Sequence, residues 1–301
     1  MLELHGIDRS YGDHQVLHDV ALTAGRGRLT GFVGGNGAGK TTTMRIILGV
    51  LRADTGSVTL DGEPLDAGSR RRFGYMPEER GLYPKMPVTS QIAYLARLHG
   101  FDRRRANARA EELISRLGLE ERKDDPLESL SLGNQQRVQI AAALVHGPDV
   151  LILDEPFSGL DPLAVDVVLD VLTEQARAGA VVLFSSHQLD VVERLCDDIV
   201  IIGGGRILAA GETDTLRERH GTLRYELTGA ADLGWVREVP GVGTDDFEAG
   251  RILFRAEESV AQQVLARAVE AGAVHRFAPM LPTLSEIFKD MNADRTTEDA
   301  R

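Results

Sequence analysis

The chain has a single cysteine, Cys196, and a single tryptophan among its 301 residues. One thiol cannot close an intramolecular disulfide, so Cys196 reads as a small buried hydrophobe in a reducing, cytoplasmic setting. Positive charge is scarce: 34 lysines and arginines stand against 46 aspartates and glutamates, for a net charge of −12. A general nucleic-acid binder carries a basic face, so this balance argues against nucleic acid as a partner. Long apolar runs are missing as well. Runs such as those at residues 150–153 and 180–184 have strand length, and none approaches the roughly 18 residues that span a bilayer. The opening MLELHGIDRSYG lacks the basic start and apolar core of a secretory leader. If the protein works at a membrane, it must dock onto another chain.

What is present suffices for a real core, since 43% of the residues are hydrophobic. Residues 2–7 and 16–22 read as short strands. Residues 29–33 form an apolar strand running into a glycine loop, and residues 41–51 a helix. Residues 86–117 are mostly helical, with Ile92, Leu95, Leu98, Leu113, Ile114 and Leu117 at helical spacing. Residues 137–145 make another helix. The unbroken apolar runs at 150–153 and 181–184 predict buried parallel strands, joined by a crossover helix over 163–177. Residues 199–202 and 206–210 pair as a hairpin. Near residue 220 the pattern changes to alternating strands and helices. Strands are predicted at 223–227, 251–256 and 274–277, with Ile252 and Phe254 on one face. Ser259 with Gln262, and Thr283 with Glu286, make capping boxes for two helices.

The strongest motif is GGNGAGKT at residues 34–41, which matches G-x-x-x-x-G-K-[ST] between a strand and a helix. Gly34, Gly35, Asn36, Gly37, Ala38 and Gly39 let the backbone turn N–H groups toward phosphate oxygens. The helix that follows, carrying Thr42, adds the positive end of its dipole. Lys40 supplies a point charge for the β- and γ-phosphates, and Thr41 a hydroxyl for Mg²⁺. VLILDEP at residues 150–156 delivers Asp154 and Glu155 to the carboxyl end of a buried strand, where α/β sheets bind ligands. Asp154 suits the Mg²⁺ sphere. Glu155 suits the polarisation of an attacking water. A nucleotide carrying β- and γ-phosphates, with Mg²⁺, is the ligand these residues fit.

With LSLGNQQRVQ at 130–139, SGLD at 158–161 and SSHQ at 185–188, these motifs resemble the ATPase subunit of ABC transporters over about residues 1–215. The stretch LPTLSEIF at 281–288 resembles the extra C-terminal domain of bacterial sodium and drug exporter ATPases. The expected fold is therefore α/β, a P-loop NTPase of the ABC ATPase type. Residues 1–218 form its ATP-binding domain, with a helical subdomain at about 86–145. Residues 219–292 form a small α+β domain, for which packing or dimer support is favoured over ligand sensing, and residues 293–301 a disordered tail. The resemblance implies two such domains facing head to tail, with each ATP held between one chain's phosphate loop and the other's signature. Ser131 and the N–H of Gly133, at a helix N-terminus, provide that second anion site. One chain carries one of each, so a homodimer is the simplest arrangement. The signature departs from LSGGQ at Leu132 and Asn134, and Leu132 is compatible only if its side chain points away from the nucleotide. The resemblance also places Tyr11 against adenine and His187 at the γ-phosphate. It puts Ser158, Gly159, Leu160 and Asp161 at the contact between protomers. His5, His14, His18, His99, His146, His220 and His275 read as solvated or packing residues.

The loop RFGYMPEERGLYPKM at residues 72–86 stands apart from the family pattern. The family places a glutamine there, reaching Mg²⁺ and the attacking water; this chain has Glu78. A carboxylate binds Mg²⁺ and accepts a hydrogen bond but cannot donate one. Glu78 is expected to face metal and water, and Glu79, Arg80, Leu82 and Tyr83 to face a membrane partner. The resemblance thus implies an ATP-hydrolysing motor subunit of an exporter, docked on an integral membrane permease at the cytoplasmic face of the membrane. Two rivals are a soluble ABC-type ATPase acting in translation or DNA maintenance, and a regulatory module with little turnover. A single ATPase domain, the lack of a coiled coil and the acidic balance disfavour the first. Glu155 disfavours the second.

Overall fold

The computed structural model describes residues 1–79, 81–220, 224–230, 232–280, 283 and 287. The chain divides into two units, Met1–Thr213 and Asp214–Arg301. In chain order the first unit runs β1 (Leu2–Tyr11), β2 (His14–Ala24), β3 (Leu29–Val33), α1 (Lys40–Ile47), β4 (Thr55–Leu60), β5 (Glu63–Pro64) and β6 (Phe73–Met76). It continues with α2 (Val88–Leu98), α3 (Arg103–Arg116), α4 (Leu132–Leu144), β7 (Val150–Leu153), α5 (Pro162–Arg177), β8 (Val181–Ser186), α6 (Leu189–Leu195), β9 (Asp198–Gly203) and β10 (Arg206–Glu212).

Strands β9, β3, β8, β7 and β6 lie side by side and parallel, with β10 antiparallel on the β9 edge. Strands β3, β7 and β8 are buried along their whole length, which explains their unbroken apolar sequences. A second, antiparallel sheet has the order β2-β1-β4-β5. Phe32, Ile152, Leu183 and Val200 of the parallel sheet share one core with Leu4, Leu17 and Leu22 of the antiparallel sheet and Met44 and Ile47 of α1. Each such large side chain, fully buried, stabilises the fold by about 1.5–3 kcal/mol. Helix α6 lies so close to β3 that a Cβ on Gly31 would fall 2.4 Å from Val192 and 2.7 Å from the Cys196 sulfur. Cys196 is buried there, as the sequence predicts.

The helical insert is α2, α3 and α4, which pack on one another. The long helical stretch breaks where Gly100 takes a left-handed φ of 88°, and Asp102 restarts it by accepting the Arg105 N–H at 2.8 Å. Two predicted boundaries move. Helix α1 ends at Ile47 rather than residue 51, because Gly49 adopts φ 71° and its N–H folds back to the Ile46 carbonyl. Helix α4 begins at Leu132, five residues before the predicted start, because Ser131 caps it. Strands β4, β5 and β6 were not read from the sequence at all.

Helix α7 (Thr213–His220) begins on the last residue of the first unit, and the second unit continues with β11 (Arg224–Gly229), β12 (Gly243–Glu248), β13 (Arg251–Arg255), α8 (Glu258–Ala271) and β14 (Val274–Met280). The four strands form an antiparallel sheet of order β12-β13-β11-β14. Tyr225, Leu227, Ile252 and Phe254 pack with Ala261, Val264 and Ala268 of α8, so Ile252 and Phe254 do share a buried face. Helix α8 begins before Ser259, with Glu257 in the cap position and no side-chain cap bond; the Ser259–Gln262 box is not used. At the second predicted box, the Ile287 N–H donates to the Thr283 carbonyl at 3.1 Å. Glu286, Arg80, Leu223 and the tail 293–301 lie outside the described residues.

Candidate active site

Four neighbouring parallel strands, β3, β8, β7 and β6, end on one side of the sheet. They deliver in turn the phosphate loop, His187, Asp154 with Glu155, and Glu78. A pocket of about 800 Å³ opens there, within the size range of small-molecule sites. It is lined by Tyr11, Gly35, Asn36, Gly37, Ala38, Gly39, Lys40, Thr41, Thr42, Glu78, Asp154, Glu155 and His187. Gly34 is the one phosphate-loop residue not in the lining. A Cβ on it would lie 2.4 Å from the Ile202 carbonyl oxygen, so its role is close packing under the loop. Val16, His14, Gln15, His18, Gly204 and Gly205 complete the wall. His14 and His18, read as solvated or packing residues, therefore belong to the pocket.

The loop geometry follows from its glycines. Gly39 takes φ 109° at the head of α1, and a Cβ there would sit 2.5 Å from Leu17; only glycine satisfies both demands. Gly37 is left-handed too, at φ 77°. The buried Lys40 Nζ donates to the Gly34 carbonyl at 2.6 Å and the Gly35 carbonyl at 3.2 Å. The ammonium is thereby held across the loop rather than extended into solvent.

Asp154 is 1% exposed, yet each of its oxygens has a hydroxyl partner. Thr41 Oγ1 donates to Oδ2 at 3.0 Å and Ser185 Oγ donates to Oδ1. A buried carboxylate needs such donors. The Glu155 N–H in turn donates to Ser185 Oγ at 2.9 Å. Glu155 has φ 53°, a left-handed conformation that costs a non-glycine residue about 1–2 kcal/mol. Strain of this kind gathers where function over-determines the backbone. Glu155 Oε2 lies 3.0 Å from His187 Nδ1. The carboxylate is largely shielded and the imidazole half exposed, so the pair can face a water at the mouth of the pocket. Glu78 is exposed at the rim, and the Glu79 carbonyl accepts from Gln139 Nε2 at 3.4 Å.

The signature forms the first turn of α4. Ser131 Oγ accepts the Asn134 N–H at 3.3 Å. Asn134 Oδ1 accepts from the Arg137 guanidinium. Leu132 is 58% exposed; its side chain turns outward from the helix end. A Cβ on Gly133 would lie 3.3 Å from the Gly159 carbonyl oxygen, so a small residue suits the close approach of the 158–161 turn. Asp161 caps α5 by accepting the Ala164 N–H at 2.9 Å, with Pro162 at the first helical position. None of Ser131, Leu132, Gly133, Asn134, Ser158, Gly159, Leu160 or Asp161 lines the pocket. Two residues of the site carried no assigned role in the sequence. Ser185 lies in SSHQ at the end of a buried strand. Gln136 lies just past the signature, and its Nε2 donates to the Glu155 carbonyl at 2.8 Å.

A phosphate loop and two carboxylates at adjacent ends of a parallel sheet define a P-loop nucleoside triphosphatase. The family described as ABC transporter matches residues 17–158. A second family, described as ATP-binding protein DrrA1-3-like, C-terminal domain, matches residues 211–291. The chain is 35% identical over 289 residues to the uncharacterized ABC transporter ATP-binding protein YhaQ of Bacillus subtilis (strain 168), covering 96% of this chain and 97% of that one. It is 33% identical over 219 residues to the Nod factor export ATP-binding protein I of Ralstonia nicotianae (strain ATCC BAA-1114 / GMI1000), covering 72% and 68%. A solved structure of an ATP binding subunit of an ABC transporter superposes with a TM-score of 0.67 at 35% identity, over 73% of this chain and 92% of that one. The chain belongs to the family of ABC transporter ATP-binding proteins. It is an ATPase subunit of that family with a DrrA-like C-terminal domain.

Proposed function

We propose that this subunit works as a homodimeric export motor, docked on an integral membrane permease at the cytoplasmic face of the membrane. The observation that carries the two-chain reading is the separation of two anion-binding features in one chain. The phosphate loop lines the pocket, whereas the helix N-terminus at Ser131 and Gly133 does not. A second chain, placed head to tail, would bring its Ser131 and Gly133 over the open phosphate site. The outward Leu132 is compatible with that approach.

Thr41 and Asp154 suit a Mg²⁺ ion, which prefers oxygen ligands and keeps few protein contacts besides phosphate oxygens. When bound, Mg²⁺ neutralises charge on the β- and γ-phosphates. Glu78, at the rim of the same pocket, is the third proposed oxygen ligand. Tyr11, half exposed in the pocket lining, offers its ring to the adenine. Glu155 accepts a hydrogen bond from the attacking water, and His187 holds Glu155 in place beside the γ-phosphate.

No helix among the described residues is long and apolar enough to cross a membrane, and in this reading the substrate path lies in a separate permease. Tyr83, Tyr94 and Leu98 are exposed on the helical insert and its approach loop, where they support docking of an apolar partner segment. Export is supported by the similarity to the Nod factor export ATP-binding protein I. The test is co-expression with a multi-span membrane protein encoded beside this chain, followed by affinity purification in mild detergent. Co-purification, weakened when Tyr83 and Tyr94 are replaced by Ser, supports the reading. Its failure with well-folded membrane protein overturns it.

A further inference from the structure

The peptide unit around Glu155 is held from both sides. Ser185 Oγ accepts its N–H at 2.9 Å, and Gln136 Nε2 donates to its carbonyl at 2.8 Å. Between these anchors the backbone keeps φ 53°, which an L-residue adopts stably only when its surroundings impose it. Ser185 stands on β8, within the sheet. Gln136 comes from elsewhere: it sits on α4, five residues past Ser131, and is 6% exposed. Burial and a single defined acceptor mean that the amide cannot relax to solvent if the acceptor moves.

We infer that Gln136 is a positioning residue for hydrolysis: it fixes the Glu155 carbonyl, and through it the direction of the Glu155 side chain, to the seat of helix α4. A carboxylate that must meet a water beside a phosphorus atom tolerates little displacement, and a 1 Å error can cost about a hundredfold in rate. The same helix begins with Ser131, Leu132, Gly133 and Asn134. Its tilt and the attitude of Glu155 are therefore linked through one side chain, so a signature engaged by a partner's nucleotide bears on this chain's own carboxylate. That last link rests on the two-chain reading; the positioning role does not.

The first arm of the test is Gln136→Met, which keeps the side chain's length and removes its donor. The ATPase kcat falls about tenfold or more, while ATP affinity measured directly with a fluorescent analogue stays within about twofold. A double-mutant cycle separates positioning from general loosening. In the Glu155→Gln background Gln136→Met leaves the residual rate unchanged. An equal fractional loss in both backgrounds overturns the inference, as does a wild-type kcat in the single variant. The second arm is Gln136→Glu, which is near-isosteric and safeguards against a folding failure of the first. Its ionised carboxylate faces a carbonyl and cannot donate, but the protonated form can. Activity relative to wild type therefore rises as pH is lowered. A ratio that does not change with pH overturns the proposal even if both variants are slow.

Discussion

Glu155 Oε2 and His187 Nδ1 lie 3.0 Å apart across the ends of the adjacent strands β7 and β8. We propose that this pair supplies the hydrolytic chemistry of the subunit's nucleotide pocket. Asp154, one residue earlier, is sequestered by two hydroxyls, which leaves Glu155 as the carboxylate free to meet a water. Glu155→Gln keeps the size of the side chain and removes the proton acceptor. Its kcat falls by about 10²–10⁴-fold, with ATP affinity nearly intact, as read by steady-state phosphate release and equilibrium binding.

His187 contacts Glu155 directly, and the proposed mechanism has the two act as one unit. His187→Ala alone slows hydrolysis about tenfold to a hundredfold, and adding it to Glu155→Gln costs far less than the product of the two effects. Single-turnover rates on the four members of the cycle measure this. Fully multiplicative losses would show that the contact has no part in turnover.

Glu78 stands where the family resemblance expects a glutamine, and it lines the same pocket. Glu78→Gln exchanges an anionic oxygen for an amide, leaves nucleotide affinity nearly unchanged, and raises the Mg²⁺ concentration needed for half-maximal activity by a few-fold, roughly the effect of weakening one oxygen ligand. Mg²⁺ titrations of the two proteins decide it. Superimposable curves would assign Glu78 to solvent.

His99 and His146 stack with ring centroids 3.8 Å apart and planes 9° from parallel. Burial, followed by the neighbouring His99, pushes His146 down to about 4, against the opposing pull of the Phe73 carbonyl. Burial lowers His99 as well. The unfolded chain then binds more protons than the folded one between the ordinary histidine value of 6.5 and about 4. The stability from keeping this pair neutral is complete above pH 6.5 and is lost as pH falls through that window. Solvent screening of the part-exposed ring limits the His146 share to about 2 kcal/mol at most. His146→Gln cannot gain a proton, so its denaturation midpoint falls less steeply with acidification. Parallel pH profiles would contradict this.

Much of the fold and site is legible in the sequence where one local rule suffices. GGNGAGKT announces its own backbone geometry, and the unbroken runs at β3, β7 and β8 announce burial on both faces. Features that depend on a distant neighbour are not legible. Strand β4 is partly or fully exposed along its length, and β12 reads GTDDFE with five of six residues exposed. Each exists because a partner strand is there to pair with it, not because its own residues favour a strand. The first turn of α4, Leu-Gly-Asn, is poor helix sequence, and the Ser131 cap decides it. Ser185 and Gln136 meet Glu155 from residues 30 and 19 positions away, contacts that no spacing rule reveals. Gly34 shows the converse: it belongs to the motif, yet it packs under the loop and does not line the pocket.

The central claim is that a complete site takes its phosphate loop from one chain and its signature from another. Mixing Lys40→Ala protein with Ser131→Arg protein tests it most directly. Each alone has two defective sites. A mixed dimer pairs the intact phosphate loop of the Ser131→Arg chain with the intact signature of the Lys40→Ala chain. Random exchange at equal amounts should restore about a quarter of the wild-type ATPase rate, since half the dimers then carry one good site of two. A mixture as inactive as its components, with mixed dimers shown to form, or full activity in Ser131→Arg alone, would contradict the account.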